Sequence, residues 1–218
     1  MKTSNSSFLR DAERSVIEKL CARVPPFIGT KHFTFLSLLS SFLVFVSYYI
    51  SAKKPYFLFF ASFFIILQWV FDCLDGAIGR LRKEGFIEWG FYMDHLFDYF
   101  FMASIVFGLY FLFPDSSLQI LVLFLLFSSF MINSFLLYAS IKTKEPGLVV
   151  SFWHFSPIEF RLLVILFNTL LFFFESTVRN LAGKYLFCLN ILLLTALIAL
   201  IFSCQKKLNQ YDISNKDF

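Results

Sequence analysis

Along residues 8 to 24, Phe8, Ala12, Val16, Leu20 and Val24 recur at steps of four, with Arg10, Glu13, Arg14, Glu18 and Lys19 between them. The pattern predicts an amphipathic helix lying in a membrane interface, ended by Pro25 and Pro26; a helix packed on a soluble partner is the alternative. Beyond the prolines the periodicity changes. The chain runs in long stretches that are apolar all the way round, as helices facing lipid or other helices are. A transmembrane helix needs ~20 mostly apolar residues, and six stretches meet or approach that length, near 33–52, 56–78, 91–113, 118–140, 157–175 and 183–204. The predicted breaks carry Lys53, Lys54 and Pro55, then Arg80 to Glu88, Pro114 and Asp115, Lys142 to Pro146, and Glu175 to Lys184. From Gln205 a short, loosely ordered polar tail is expected. These elements predict an all-α integral membrane fold, six transmembrane helices with an N-terminal interfacial helix, in one domain spanning residues 1–218.

Composition supports the membrane reading. Hydrophobic residues make up 58% of the chain and charged residues 16%, against about a quarter charged in a soluble domain. Cys21, Cys73, Cys188 and Cys204 are scattered without metal-ligand spacing and read as packing residues. The net charge of +4 does not come from a dense basic patch, so no nucleic acid partner is expected. With the N-terminus inside, fifteen of the 19 Lys and Arg residues fall on inner segments. The positive-inside rule then puts the N-terminus and the Arg80 to Glu88 loop in the cytoplasm. The polar start of the chain lacks the apolar core of a cleavable signal, so the N-terminus is expected to be retained.

Against this apolar background four carboxylates stand out. Asp72 and Asp75 end the second predicted span, and Asp94 and Asp98 begin the third. A charge at the bilayer centre costs ~2.5–3.5 kcal/mol on insertion scales, so four require compensation, and cations are the obvious one. Spacings of three and four put each pair on one face of its helix, and a short loop would bring the pairs face to face. An oxygen-only donor set suits Mg²⁺, Mn²⁺ or Ca²⁺ rather than zinc. The competing reading makes some of these aspartates helix caps or partners of Arg80, Arg82 and Lys83. Gly76, Gly79 and Gly90 read either as close contacts between membrane helices or as places where a ligand approaches the backbone.

The string from Asp72 through Asp75, Gly76, Gly79 and Arg80, followed by Gly90, Asp94 and Asp98, resembles the signature of the CDP-alcohol phosphotransferase family. That signature is DxxDGxxAR, about eight residues, then GxxxDxxxD, and seven of its eight fixed positions match. Gly79 stands where the family usually has Ala, and nine residues separate Arg80 from Gly90. The resemblance implies a six-helix bundle with a cavity open to the cytoplasm, homodimerisation, and phospholipid synthesis by transfer from a CDP-linked donor to a lipid or small alcohol with release of CMP. It further implies that Asp72, Asp75, Asp94 and Asp98 hold two divalent cations, Mg²⁺ or Mn²⁺, and that Asp98 is also the general base; Gly76, Gly79, Arg80 and Gly90 are then the candidates for contact with the nucleotide.

Arg80, and after it Arg82 and Lys83, are candidates for the donor's phosphates or ribose, or serve only as topology determinants. Glu159 and Arg161, at the start of the fifth span, are candidates for binding the acceptor; alternatively Glu159 forms a capping box with Ser156. Few basic residues other than Arg161 and the Arg80 loop are placed to hold a phosphate, which favours an acceptor without one. The rival function is a divalent-cation transporter, whose aspartates would line a pathway; their clustering near one membrane face speaks against it.

Overall fold

The computed structural model describes residues 8–84, 87–113, 115–143 and 157–214, and among these every regular element is an α-helix. The seven helices are α1 (Phe8–Cys21), α2 (Thr30–Ser51), α3 (Phe57–Arg82), α4 (Ile87–Leu112), α5 (Ser116–Thr143), α6 (Pro157–Phe173) and α7 (Glu175–Ser214). Five of them, α2 to α5 and α7, are long and apolar enough to cross a membrane. The expected fifth span is shorter: α6 has 17 residues, at the lower limit of the spanning range.

Two boundaries differ from the sequence expectation. The predicted break from Glu175 to Lys184 is helix, and only Phe174 separates α6 from α7. Two of its charges, Glu175 and Arg179, pair along the helix instead of breaking it. Arg179 Nε donates to Glu175 Oε1 at 2.9 Å, a pair four residues apart, and Arg179 Nη1 donates to the Leu112 carbonyl at 2.8 Å, satisfying an orphan acceptor at the end of α4. The tail expected to be loosely ordered continues α7 to Ser214; Gln205 to Ser214 contain neither Pro nor Gly to stop the helix. Predicted breaks did fall correctly at Asp115, whose Oδ1 caps α5 by accepting from Ser117 N and Leu118 N at 2.8 and 3.2 Å. The Lys142 to Pro146 break lies mostly outside the described residues.

α2 is the centre of the bundle. It packs most extensively on α3 and also broadly on α4, whereas α3 and α4 barely touch each other; α6 lies against α3, and α5 joins α4 to α7. Small hydroxyl residues make this closeness possible. Ser40, Ser41 and Ser47 each donate to the carbonyl four residues earlier, at 2.8, 3.0 and 2.7 Å, so their polar groups are satisfied within α2.

The inward faces are graded along the bundle. On α4 the stripe runs Gly90, Asp94, Asp98, Phe101, Ile105, Gly108, Leu112, and on α2 Thr30, Thr34, Ser37, Ser41, Val44, Tyr48. Both pass from polar to apolar by helical steps. At the apolar end Val44, Tyr48, Leu58, Ala61, Ile65, Phe101 and Ile105 form the core. Within it the Tyr48 hydroxyl donates to Asn168 Oδ1 at 2.7 Å, and Asn168 Nδ2 donates to Ser62 Oγ at 3.0 Å, tying α2, α6 and α3. Elsewhere Ile17 and Cys21 of α1 pack on Leu74 and Ile78 of α3.

Gly108 accepts the ring of Tyr48 at this core, where an added Cβ would stand 2.5 Å from Tyr48 Cδ2. Gly108→Val therefore overpacks the α2–α4 contact and should cost about 1–3 kcal/mol. The unfolding temperature in detergent is expected to fall by several degrees, and an unchanged value would contradict this packing.

Candidate active site

Three of the four aspartates line one cavity at the polar end of the bundle. The cavity measures about 640 Å³, and its walls are Asp72, Cys73, Asp75, Gly76, Gly79 and Arg80 of α3, Thr30 of α2, Gly90, Phe91 and Asp94 of α4, and Lys83 and Glu84 between α3 and α4. On α3 the residues at 72, 75, 76 and 79 share a face, while Leu74 and Ile78 on another face are buried against α1. One helix thus serves a polar cavity and an apolar contact at once. Asp98, one turn further along α4 than Asp94, is not part of the cavity wall.

The carboxylates act on each other electrostatically: Asp75 and Asp94 on Asp72, Asp94 on Asp75, and Asp72 and Asp94 on Asp98. Their convergence does not arise from direct packing of α3 on α4, as a face-to-face pair of helices would suggest. It arises because both helices lean on α2, leaving space between their acidic ends. Among the described residues no three His, Cys, Asp or Glu side chains gather closely enough to form a ready cation cage. The donors surround a cavity instead.

Two of the acids have protein partners. Thr34 Oγ1 donates to Asp75 Oδ2 at 2.7 Å. Arg161, buried at the start of α6, donates through Nη2 to Asp72 Oδ2 at 3.3 Å. The same guanidinium donates through Nε and Nη2 to Gln68 Oε1 at 3.1 and 2.9 Å, and Gln68 Nε2 in turn donates to Ser37 Oγ at 3.2 Å. A buried polar chain from α2 through α3 to α6 therefore underlies the acids. His95 points elsewhere, with Nδ1 2.8 Å from the Phe91 carbonyl.

The glycines divide by surroundings. A Cβ on Gly79 would come within 3.2 Å of Thr30 Oγ1, so this glycine lets the start of α2 approach α3. A Cβ on Gly76 would come within 3.1 Å of Arg80 Nη1, which folds back over it. Gly90 faces open space.

The loop ends are built around two charged residues. Arg82 turns away from the cavity: Nη1 donates to the Ile28 and Pro26 carbonyls at 2.6 and 3.4 Å, and Nη2 to those of Val24 and Pro25 at 3.0 and 3.2 Å. Lys83, at φ 53°, takes the left-handed position that ends α3, with the Glu84 amide donating to the Gly79 carbonyl at 3.2 Å. Glu84 then reaches the first turn of α2, where its Oε2 accepts from Thr30 N at 3.1 Å.

Of the residues singled out from sequence, the structure gathers Asp72, Asp75, Asp94, Gly76, Gly79, Arg80, Lys83 and Gly90 around the cavity. It ties Arg161 to Asp72 and turns Arg82 aside. Glu159 is half-buried on the first turn of α6, and Ser156 lies outside the described residues. Thr30, Thr34, Ser37, Gln68 and Glu84 were not anticipated. The available signal was Gln68 one turn before Asp72 in an otherwise apolar span, and hydroxyl residues recurring at 30, 34, 37 and 41.

Arg82→Met should remove the charged donor that gathers the carbonyls of residues 24–28. Amide hydrogen exchange over residues 22–29 is expected to accelerate roughly tenfold or more, with α5 and α7 unaffected. Unchanged protection there would show that Arg82 does not hold the segment.

With this geometry in hand, comparison with known proteins is informative at one level. Residues 30–205 match the sequence profile of the CDP-alcohol phosphatidyltransferase family, which covers α2 to α6, α7 as far as Gln205, and the whole cavity wall. No curated protein and no solved structure matches the chain at a significant level.

Proposed function

Since the chain belongs to the CDP-alcohol phosphatidyltransferase family, a family of phospholipid-synthesis transferases that release CMP, we propose that its polar cavity is where a CDP-linked donor meets an acceptor hydroxyl. The observation that carries the reading is the convergence of Asp72, Asp75 and Asp94 with Arg80 and Lys83 around a single cavity, with Asp98 within electrostatic reach. Such a site joins acidic groups for cations to basic groups for phosphates.

The donor set fits hard divalent cations. It consists of carboxylates, and their spread around a cavity suits ions that keep waters and complete their coordination on substrate phosphates rather than in an all-protein cage. Asp72, Asp75, Asp94 and Asp98 would hold two ions, Mg²⁺ or Mn²⁺, which when bound neutralise the donor's diphosphate and the charge on departing CMP. Thr34 orients Asp75 through its 2.7 Å hydrogen bond. Arg80 and Lys83 attract the phosphates, and Gly90, with open space before it, lets the nucleotide approach the backbone of α4. Asp98 takes the proton of the incoming hydroxyl. Its position off the cavity wall suits an acceptor arriving beyond the diphosphate.

An acceptor without phosphate fits best, because Arg161 is already engaged with Gln68 and Asp72 and the described residues offer little other basic charge at that depth. In the membrane, α6 completes a six-helix bundle by crossing at the short end of the permitted length. The excess of Lys and Arg on inner segments puts the N-terminus and cavity mouth in the cytoplasm, with α1 lying in the interface. Pairing of two copies through lipid-facing helices is the expected assembly.

Purified protein in detergent, given a panel of CDP-linked donors and alcohols with Mg²⁺ or Mn²⁺, should release CMP only when an acceptor is present. EDTA should abolish the reaction, and Asp98→Asn should slow it by about 10²–10⁴-fold. Cation flux in proteoliposomes without CMP release from folded protein would instead establish a transporter.

A further inference from the structure

Arg161 is the one charged side chain that is fully buried among the described residues, at 6% exposure. Its shortest hydrogen bonds do not go to the carboxylate. Gln68 Oε1 accepts from it twice, at 3.1 and 2.9 Å, whereas Asp72 Oδ2 accepts once at 3.3 Å. Gln68 is itself 1% exposed and pinned to Ser37 Oγ, and the guanidinium carbon stands 5.1 Å from the centre of the Phe101 ring on α4. The planar, weakly hydrated guanidinium suits such a place, where a lysine ammonium would lack the fork to satisfy Gln68. The cation is therefore held by neutral partners on α3 and α4, and Asp72 is the partner that can leave without unseating it.

We propose that Arg161 is a positioning residue of the aspartate centre: an anchored internal cation that competes with divalent ions for Asp72, so that it orients this carboxylate and limits how tightly the centre binds metal. The inference rests on the reading of Asp72 as a metal ligand. The guanidinium takes one of the acceptor sites of Asp72 Oδ2, and a fixed positive charge in contact with a ligand opposes a second one at the low effective dielectric of a bundle interior. Gln68 sets the balance, since without its carbonyl the guanidinium would lean on Asp72 alone.

The test is Mn²⁺ binding to purified protein, read by electron paramagnetic resonance of free and bound ion, with no activity involved. Arg161→Met is expected to bind Mn²⁺ roughly tenfold more tightly than wild type. Its metal-free unfolding temperature should be lowered, and saturating Mn²⁺ should recover more of that loss than it adds to wild type. Arg161→Lys, which keeps the charge but not the fork to Gln68, should bind Mn²⁺ no more tightly than wild type. Gln68→Met keeps Arg161 but removes its anchor, and should bind Mn²⁺ more weakly than wild type, so the two sites move affinity in opposite directions. Equal or weaker binding by Arg161→Met, or equal or tighter binding by Gln68→Met should the first variant not fold, overturns the proposal while leaving the metal-dependent transferase intact. Absence of Mn²⁺ binding by wild type overturns both.

Discussion

Carboxylates are expensive in hydrocarbon, and the architecture of this protein follows from having four of them in two membrane-length helices. Each acid has to meet water, a hydrogen-bond donor or a cation. The bundle meets that demand by grading its interior. The inward faces of α2 and α4 are hydroxyl, glycine and acid at one end, and Val44, Tyr48, Phe101 and Ile105 at the other. The acids thus gather where a cavity reaches them, and the apolar end supplies the packing that holds the helices at fixed spacing. Arg161 is placed where the two regimes meet, with Gln68 and Asp72 on one side and the Phe101 ring on another.

The second constraint is that a cavity must exist at all in a bundle that would otherwise close. Here α2 acts as a spacer. It packs on α3 and α4 while these two barely touch, and small residues set how near it can come: Gly79 against Thr30 at the cavity, Gly108 against Tyr48 at the far end. Arg82 and Glu84, two residues apart at the end of α3, then fasten the segment before α2 and the first turn of α2 itself. The cavity wall is therefore held both by residues that line it, Gly79, Thr30 and Glu84, and by residues turned away from it, Arg82 and the Gly108–Tyr48 pair.

Much of this was legible in the chain, because hydrophobic runs, charge breaks and the spacing of Asp72, Asp75, Asp94 and Asp98 are local patterns that helical periodicity translates directly into faces and lengths. The same locality explains the misses. Glu175 to Lys184 looked like a break because charges interrupt the hydropathy, yet Glu175 and Arg179 pair along one helix and Arg179 finds the Leu112 carbonyl 67 residues away in sequence. The tail after Gln205 looked loose because it is polar, but polarity does not stop a helix that contains no Pro or Gly.

What the sequence alone determined was the identity and helical spacing of the acids, the membrane character of the chain, and the family signature that the profile match bears out. What only tertiary structure decided was which neighbours those acids keep: Thr34 on Asp75, Arg161 and through it Gln68 near Asp72, and Arg82 turned away while Lys83 stays at the cavity. Those contacts join residues 41 to 93 positions apart. No periodicity encodes such pairings, because they depend on how far apart α2 holds α3 and α4, and that distance is set by packing.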